Sequence, residues 1–270
     1  MIFARGILDG RVALVTGGGT GIGRAIAEGL AAAGARVAVA SRKPEHVEPA
    51  AREIAARHGV ATLAVEVDVR DSARVEAMVE RTERELGPVS ILVNNAAGNF
   101  FCPALALSDN GWAAVRGIDL DGTFYCSRAA GRRMVERRSG RVINITATLQ
   151  RRGFPGMVHA TAAKAGIDAM TRTLAAEWAP FNVTVNAIAP GPIFTEGAAK
   201  AFQLGAEVAA EGAEGAGDRA WRFVPLGRFG RAEEVANVAV FLASPAGDWV
   251  TGAIWAIDGG VDLGRSPLSD

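Results

Sequence analysis

The chain has 270 residues, enough for one α/β domain of ordinary size, and its 29 Lys and Arg balance 29 Asp and Glu. That balance leaves no electrostatic footprint for nucleic acid or an anionic membrane surface, and no apolar run reaches the roughly 18 residues of a membrane span. Cys102 and Cys126 show neither metal-ligand nor disulfide spacing, so no metal is expected and both read as small buried or half-buried thiols.

Residues 1–8 are too short and too interrupted for a signal segment, and Pro267-Leu268-Ser269-Asp270 is not a peroxisomal Ser-Lys-Leu address. The expectation is a soluble, cytoplasmic protein. The first predicted strand is the apolar run 12–16. It ends in Gly17-Gly18-Gly19-Thr20-Gly21-Ile22-Gly23, and an Ala-rich helical pattern over 23–33 follows at once. Gly17, Gly21 and Gly23 can take positive φ and let backbone approach a ligand closely. A helix starting near Ile22 offers unpaired N–H groups and a positive dipole end, which suits a pyrophosphate. The glycines alone would fit an ordinary tight turn; the strand before them and the helix after them supply the context of a dinucleotide fingerprint.

Further strands are predicted at 36–40, 62–67, 91–94, 141–146, 184–188 and 253–257. Helices are predicted at 45–58, 72–86, 110–136, 157–179 and 232–242. Asp71-Ser72 and Ser108-Asp109 read as helix starts, and Gly34, Gly59 and Gly87 as helix stops. Strict alternation of β and α predicts an α/β fold: a single-domain, doubly wound parallel sheet with helices on both faces. His46 and His58 fall on a polar helix and are expected to face solvent.

The end of the second strand bears on the cofactor. An NAD site usually places an acid there for the ribose 2′-OH. This chain has Ser41-Arg42-Lys43, so nothing repels a 2′-phosphate and Arg42 can pair with one in forked geometry. The expectation is NADP(H) rather than NAD. The alternative is that Arg42 and Lys43 form only a solvated turn.

The spacing Thr-Gly-x-x-x-Gly-x-Gly at Thr16–Gly23 resembles the short-chain dehydrogenase/reductase family, whose fold is Rossmann-like. Asp68-Val69, Asn94-Asn95-Ala96-Ala97-Gly98, Pro190-Gly191-Pro192-Ile193 and Asp258-Gly259-Gly260 continue the resemblance in order. It implies that Gly17, Gly19, Thr20, Gly21 and Ile22 hold the cofactor's phosphates. It places Asp68 and Val69 at the adenine, Asn95 and Ala96 at the ribose, and Pro190, Gly191 and Ile193 at the nicotinamide carboxamide.

The family's usual Tyr-x-x-x-Lys pair is incomplete. Lys164 is present, but Ala160 stands four residues before it, and the only tyrosine, Tyr125, reads as a helix-packing residue. The family's serine position falls on Ala147, between Thr146 and Thr148. Its asparagine position holds Asp119. An alcohol/ketone couple needs a proton donor at the carbonyl oxygen, and the standard one is missing.

One branch lacks it too. Asn94–Pro103, Asn144–Leu149, Val158-His159-Ala160 and Asp168–Arg172 resemble the peroxisomal-type 2,4-dienoyl-CoA reductases. The resemblance implies NADPH-dependent reduction of 2,4-dienoyl-CoA to 3-enoyl-CoA in unsaturated fatty acid oxidation, with Asp119 and Lys164 as catalytic residues holding a proton-supplying water. Lys164 also serves the cofactor ribose. It implies an acyl-CoA thioester substrate near Arg70, Phe100, Ser108 and Asn110, with Arg42 also near the CoA portion. A homotetramer built on helices 110–136 and 157–179 is expected on the same ground. Residues 195–224 lack a strand pattern and read as a substrate lid, with Lys200, Arg219 and Arg222 as candidates for CoA phosphates. His159 is a second candidate proton donor, although its matching neighbours argue for a local structural role. Two other readings stay open: a related reductase acting on an enoyl-CoA or keto substrate, and a catalytically silent NADP-binding protein.

Overall fold

The computed structural model describes residues 3–195 and 224–264. Its centre is a seven-stranded, wholly parallel sheet in the order β3-β2-β1-β4-β5-β6-β7. The strands are β1 (Val12–Thr16), β2 (Arg36–Ser41), β3 (Thr62–Glu66), β4 (Ile91–Asn94), β5 (Gly140–Ile145), β6 (Val183–Pro190) and β7 (Ile254–Ile257). Every residue of β1, β4, β5 and β6 is buried. Strands covered on both faces need apolar side chains both ways, which is why they read as unbroken runs in the sequence.

The alternation of side chains splits the core in two. Ala13, Val15, Val37, Val39, Ile91 and Val93 meet Ile26, Leu30, Ile54 and Val235 on one face. Val12, Leu14, Leu92 and Val142 meet Met78, Met134 and Leu174 on the other. The first face is covered by α1 (Gly21–Ala32), α2 (Pro44–His58) and α8 (Ala232–Ala243). The second is covered by α3 (Ser72–Leu86), α5 (Gly122–Arg137) and α7 (Val158–Trp178). Two shorter helices, α4 (Asp109–Arg116) and α6 (Leu149–Arg152), lie between them in sequence.

The predicted helix starts are built as caps. The Asp71 side chain accepts from the N–H groups of Ala73 and Arg74, and Ser108 accepts from Gly111. Gly59 closes α2 in the left-handed region, at φ 70°. The single helix expected over 110–136 is instead α4, one π-helical turn at Gly117–Asp121, and α5. The extra residue shows in the N–H of Gly122, which donates to the carbonyl of Gly117, five residues back.

The crossover after β1 runs toward β2 and the one after β3 returns to β4. The crevice between these oppositely wound halves opens beyond the carboxyl ends of β1 and β4, where open α/β sheets bind ligands.

Candidate active site

A cavity of about 460 Å3 opens at that crevice. Gly17, Thr20 and Ile22 form one wall, and Ser41 and Arg42 the end of β2. Asp68 and Val69 line it from the end of β3, and Asn95 and Ala96 from the end of β4. Gly17 and Gly21 take φ of 65° and 53°, so the loop uses the freedom its glycines offer. The Thr20 side chain does not cap α1, so it does not occupy the first N–H groups of that helix, which lie beside the cavity. A Cβ on Gly23 would stand 2.3 Å from both the Gly17 carbonyl and Asn95 Nδ2. The helix therefore lies directly on the turn. Asn95 ties the two halves together by donating to the carbonyls of Thr16 and Gly17, at 3.0 and 3.2 Å.

These donors fit a dinucleotide. The glycine turn and the α1 N-terminus suit a pyrophosphate, and no carboxylate stands at the end of β2. Gly19 lies in the same turn, packed on His46. Gly191 follows β6, where its N–H donates to Ile257, while the carbonyl of Pro190 accepts from Thr148 and Ile193 bridges to Gly230.

Across the cavity Arg70 forks onto Asp68, its Nε 3.0 Å from both carboxylate oxygens. That guanidinium holds the Asp68 carboxyl below its ordinary range. Arg70, expected at the CoA portion, is thus committed to Asp68 in this structure.

The second part of the site is built on the π-helical turn. Asp119 is 1% exposed. Its Oδ1 accepts the N–H of Gly98 at 2.9 Å, and its Oδ2 lies 3.3 Å from Lys164 Nζ. Lys164 Nζ also donates to the carbonyl of Ile145, at the end of β5. One charged pair therefore joins α7, the π turn, β5 and the loop after β4. Ala160 is buried one helical turn before Lys164, where the family's phenol would be. Thr146 and Thr148 are buried beside Ala147. Tyr125 instead packs on the second core cluster.

Gly98 leads into the predicted substrate loop. Phe100 is 41% exposed, and its ring packs against His159 at 4.7 Å between centroids, the two planes tilted by 53°. Its tip also lies over Gly111, in the first turn of α4. Ser108 caps that helix, and Asn110 is exposed within it. His159 is buried, and neither ring nitrogen has a hydrogen-bond partner among the described residues. Of the expected lid, residues 196–223, with Lys200, Arg219 and Arg222, lie outside the described residues; Thr195 lines the cavity.

Two expectations need correction. His46 is half-buried and lines the cavity rather than facing solvent, because the turn at Ser41–Pro44 tucks the first turn of α2 toward the glycine loop. His58 is half-buried with Nε2 enclosed, and burial lowers its pKa. Cys126 is fully enclosed, which pushes its thiol up to about 12, and Cys102 is half-buried. The sequence reading also missed Asn99 and Ile118 among the residues that line the cavity. They lie in irregular and π-helical backbone that no periodicity announces.

A family model described as "Enoyl-(Acyl carrier protein) reductase" matches residues 17–262. The peroxisomal 2,4-dienoyl-CoA reductase of Danio rerio, described as (3E)-enoyl-CoA-producing, is 43% identical over 97% of this chain and 85% of its own. A "Probable 2,4-dienoyl-CoA reductase" of Bacillus subtilis, described as (2E)-enoyl-CoA-producing, is 39% identical over 97% of this chain and all of its own. The crystal structure of a short chain dehydrogenase from Bacillus anthracis superposes with a TM-score of 0.83 at 41% identity, over 95% of this chain and 98% of that one. With its glycine turn, its crevice at β1 and β4 and its retained lysine, the chain belongs to the short-chain dehydrogenase/reductase family, a family of oxidoreductases.

Proposed function

We propose that the protein reduces 2,4-dienoyl-CoA thioesters to 3-enoyl-CoA with NADPH, in the oxidation of unsaturated fatty acids. The observation that carries this reading is the buried Asp119–Lys164 pair beside Ala160. The site keeps a cation and a carboxylate but has no phenol to protonate a ketone oxygen. A conjugated thioester does not need one. Bound along the glycine turn, NADPH supplies hydride. The chain must stabilise negative charge at the thioester oxygen and deliver a proton to carbon. Lys164 supplies the positive charge, and Asp119 orients Lys164 and a proton-donating water. Delivery to the α carbon gives the 3-enoyl product, and delivery to the γ carbon gives the 2-enoyl isomer. Both products occur among the names of the relatives.

The preference for NADPH rests on Ser41, Arg42 and Lys43 at the cavity wall, with no acid at the end of β2. The homotetramer and the cytoplasmic location belong to the same proposal. Half-exposed Trp112 on α4 and Phe124 on α5 support the former, since these helices would make the contacts.

The test is oxidation of NADPH by a medium-chain 2,4-dienoyl-CoA, beside Asp119→Ala and Lys164→Ala. A fall of about a hundredfold or more in both variants supports the reading. Activity that survives Asp119→Ala overturns the proton-delivery scheme. The absence of Tyr and Ser from the set favours a second reading, a silent NADP-binding protein; NADPH binding without turnover of any acyl-CoA would establish it.

A further inference from the structure

We propose that His46 is a further determinant of cofactor specificity: its imidazole completes the 2′-phosphate subsite with Arg42 and Lys43, so that the preference for NADPH over NADH rises as the solution is acidified. The inference rests on the reading that the 2′-phosphate lies at the end of β2.

Three observations place His46 there. His46 lines the cavity together with Thr20, Ser41, Arg42 and Lys43. Its main chain is fixed against the glycine loop, since a Cβ on Gly19 would stand 2.9 Å from His46 Cβ and 3.1 Å from its carbonyl oxygen. It also sits in the first turn of α2, its N–H donating to the Lys43 carbonyl at 3.0 Å, at the helix end that favours an anion.

The surrounding charges suit an anion as well. Arg42 and Lys43 lie in the same turn. Across the cavity Asp68 is the one acid among the described residues that line it, and it is forked by Arg70. Glu45 and Glu48 on α2 are exposed and line no part of the cavity. Arg24 on α1 is engaged with Glu28 and Glu53. A phosphate monoester is mostly dianionic above about pH 6, and a histidine side chain gains its charge in the same range. The two opposite charges meet only in the phosphorylated cofactor.

The test is equilibrium binding of NADPH and of NADH, read by the fluorescence of the reduced nicotinamide, at about pH 6 and about pH 8. Wild type is compared with His46→Gln, His46→Arg and Arg42→Ala. Each protein's ratio of the two affinities reports the 2′-phosphate alone. Dividing the wild-type ratio by that of His46→Gln cancels the phosphate's own ionisation. That quotient is expected to be about fivefold at the lower pH and near unity at the higher, and His46→Arg is expected to hold the preference at both. A wild-type preference for NADPH that falls in Arg42→Ala but is unchanged in His46→Gln at both pH values would overturn the role of His46 and leave the cofactor reading standing. A wild type with no preference, at either pH, would overturn both.

Discussion

Lys164 Nζ stands 3.3 Å from Asp119 Oδ2, and the other oxygen of the same carboxylate holds the N–H of Gly98. Asp119 thus does two separable things: it neutralises a mostly buried ammonium, and it pins the loop that carries Phe100. Asp119→Asn keeps an oxygen for Gly98 and removes the charge. Its kcat is expected to fall about a hundredfold or more, with KM for the acyl-CoA little changed. Asp119→Ala removes both, so KM rises as well; in either variant, leaving the ammonium without its charged partner costs about 3 kcal/mol of stability. Steady-state kinetics with urea unfolding checks the split; equal effects in the two variants would show that the loop contact is immaterial.

A second prediction concerns the cofactor turn. At Gly23 any Cβ meets the Gly17 carbonyl and Asn95 Nδ2 at 2.3 Å. The carbonyl belongs to the loop itself, so a flexible side chain cannot absorb the clash. Gly23→Ala is expected to weaken nucleotide binding by about tenfold to a hundredfold, for NADPH and NADH alike, because the pyrophosphate end is common to both. Binding titrations measure this. A loss confined to NADPH would mean that the turn serves the 2′-phosphate instead.

Much of this arrangement is legible in the sequence, for identifiable reasons. Strands buried on both faces are continuous apolar runs, so β1 and β4 coincide with their predictions. Asp71 and Ser108 announce their helices because capping is a local, one-residue device. Ala160 in place of a phenol is visible by counting from Lys164. The π-helical turn is not, since a 3.6-residue period cannot reveal the one inserted residue in the turn that holds the buried Asp119. The position of His46 also escapes, because helix polarity places it outward while the turn before the helix sets its true direction. The fork of Arg70 on Asp68 is local, two residues apart and tied to a backbone turn in which Asp68 Oδ1 also accepts the Arg70 N–H, but residue spacing does not say whether a guanidinium folds back on its neighbour or reaches for a ligand.

Gly131 offers a contest between propensity and packing. Alanine is favoured over glycine in a helix interior by about 0.8–1 kcal/mol. Yet a Cβ at Gly131 in α5 would lie 2.4 Å from the ring of Trp178, at the end of α7. A rigid indole packed against the core cannot yield cheaply, and overpacking costs about 1–3 kcal/mol. Gly131→Ala is therefore expected to destabilise the fold, and Trp178→Leu in the same chain to remove that penalty. Denaturant unfolding of the single and double variants tests it; a stabilised Gly131→Ala would show that α5 and α7 can separate freely.

The last prediction concerns acid. Glu234, in the first turn of α8, accepts hydrogen bonds from the Arg228 guanidinium and, at 2.8 Å, from the N–H of Arg231. Chiefly through Arg228, its carboxyl is lowered from the ordinary 4.5 to about 2. Between those values the unfolded chain binds a proton that the folded chain does not. The stability Glu234 contributes is therefore complete above about pH 4.5 and is lost as the pH falls through about 2. Glu234→Gln removes the titrating group, so its deficit against wild type is expected to be full at neutral pH and to shrink across that acid window. Urea unfolding at a series of pH values follows the difference. A deficit that stays constant down to about pH 2 would mean that the Arg228 fork does not form in solution and that the backbone cap on Arg231 alone holds the start of α8.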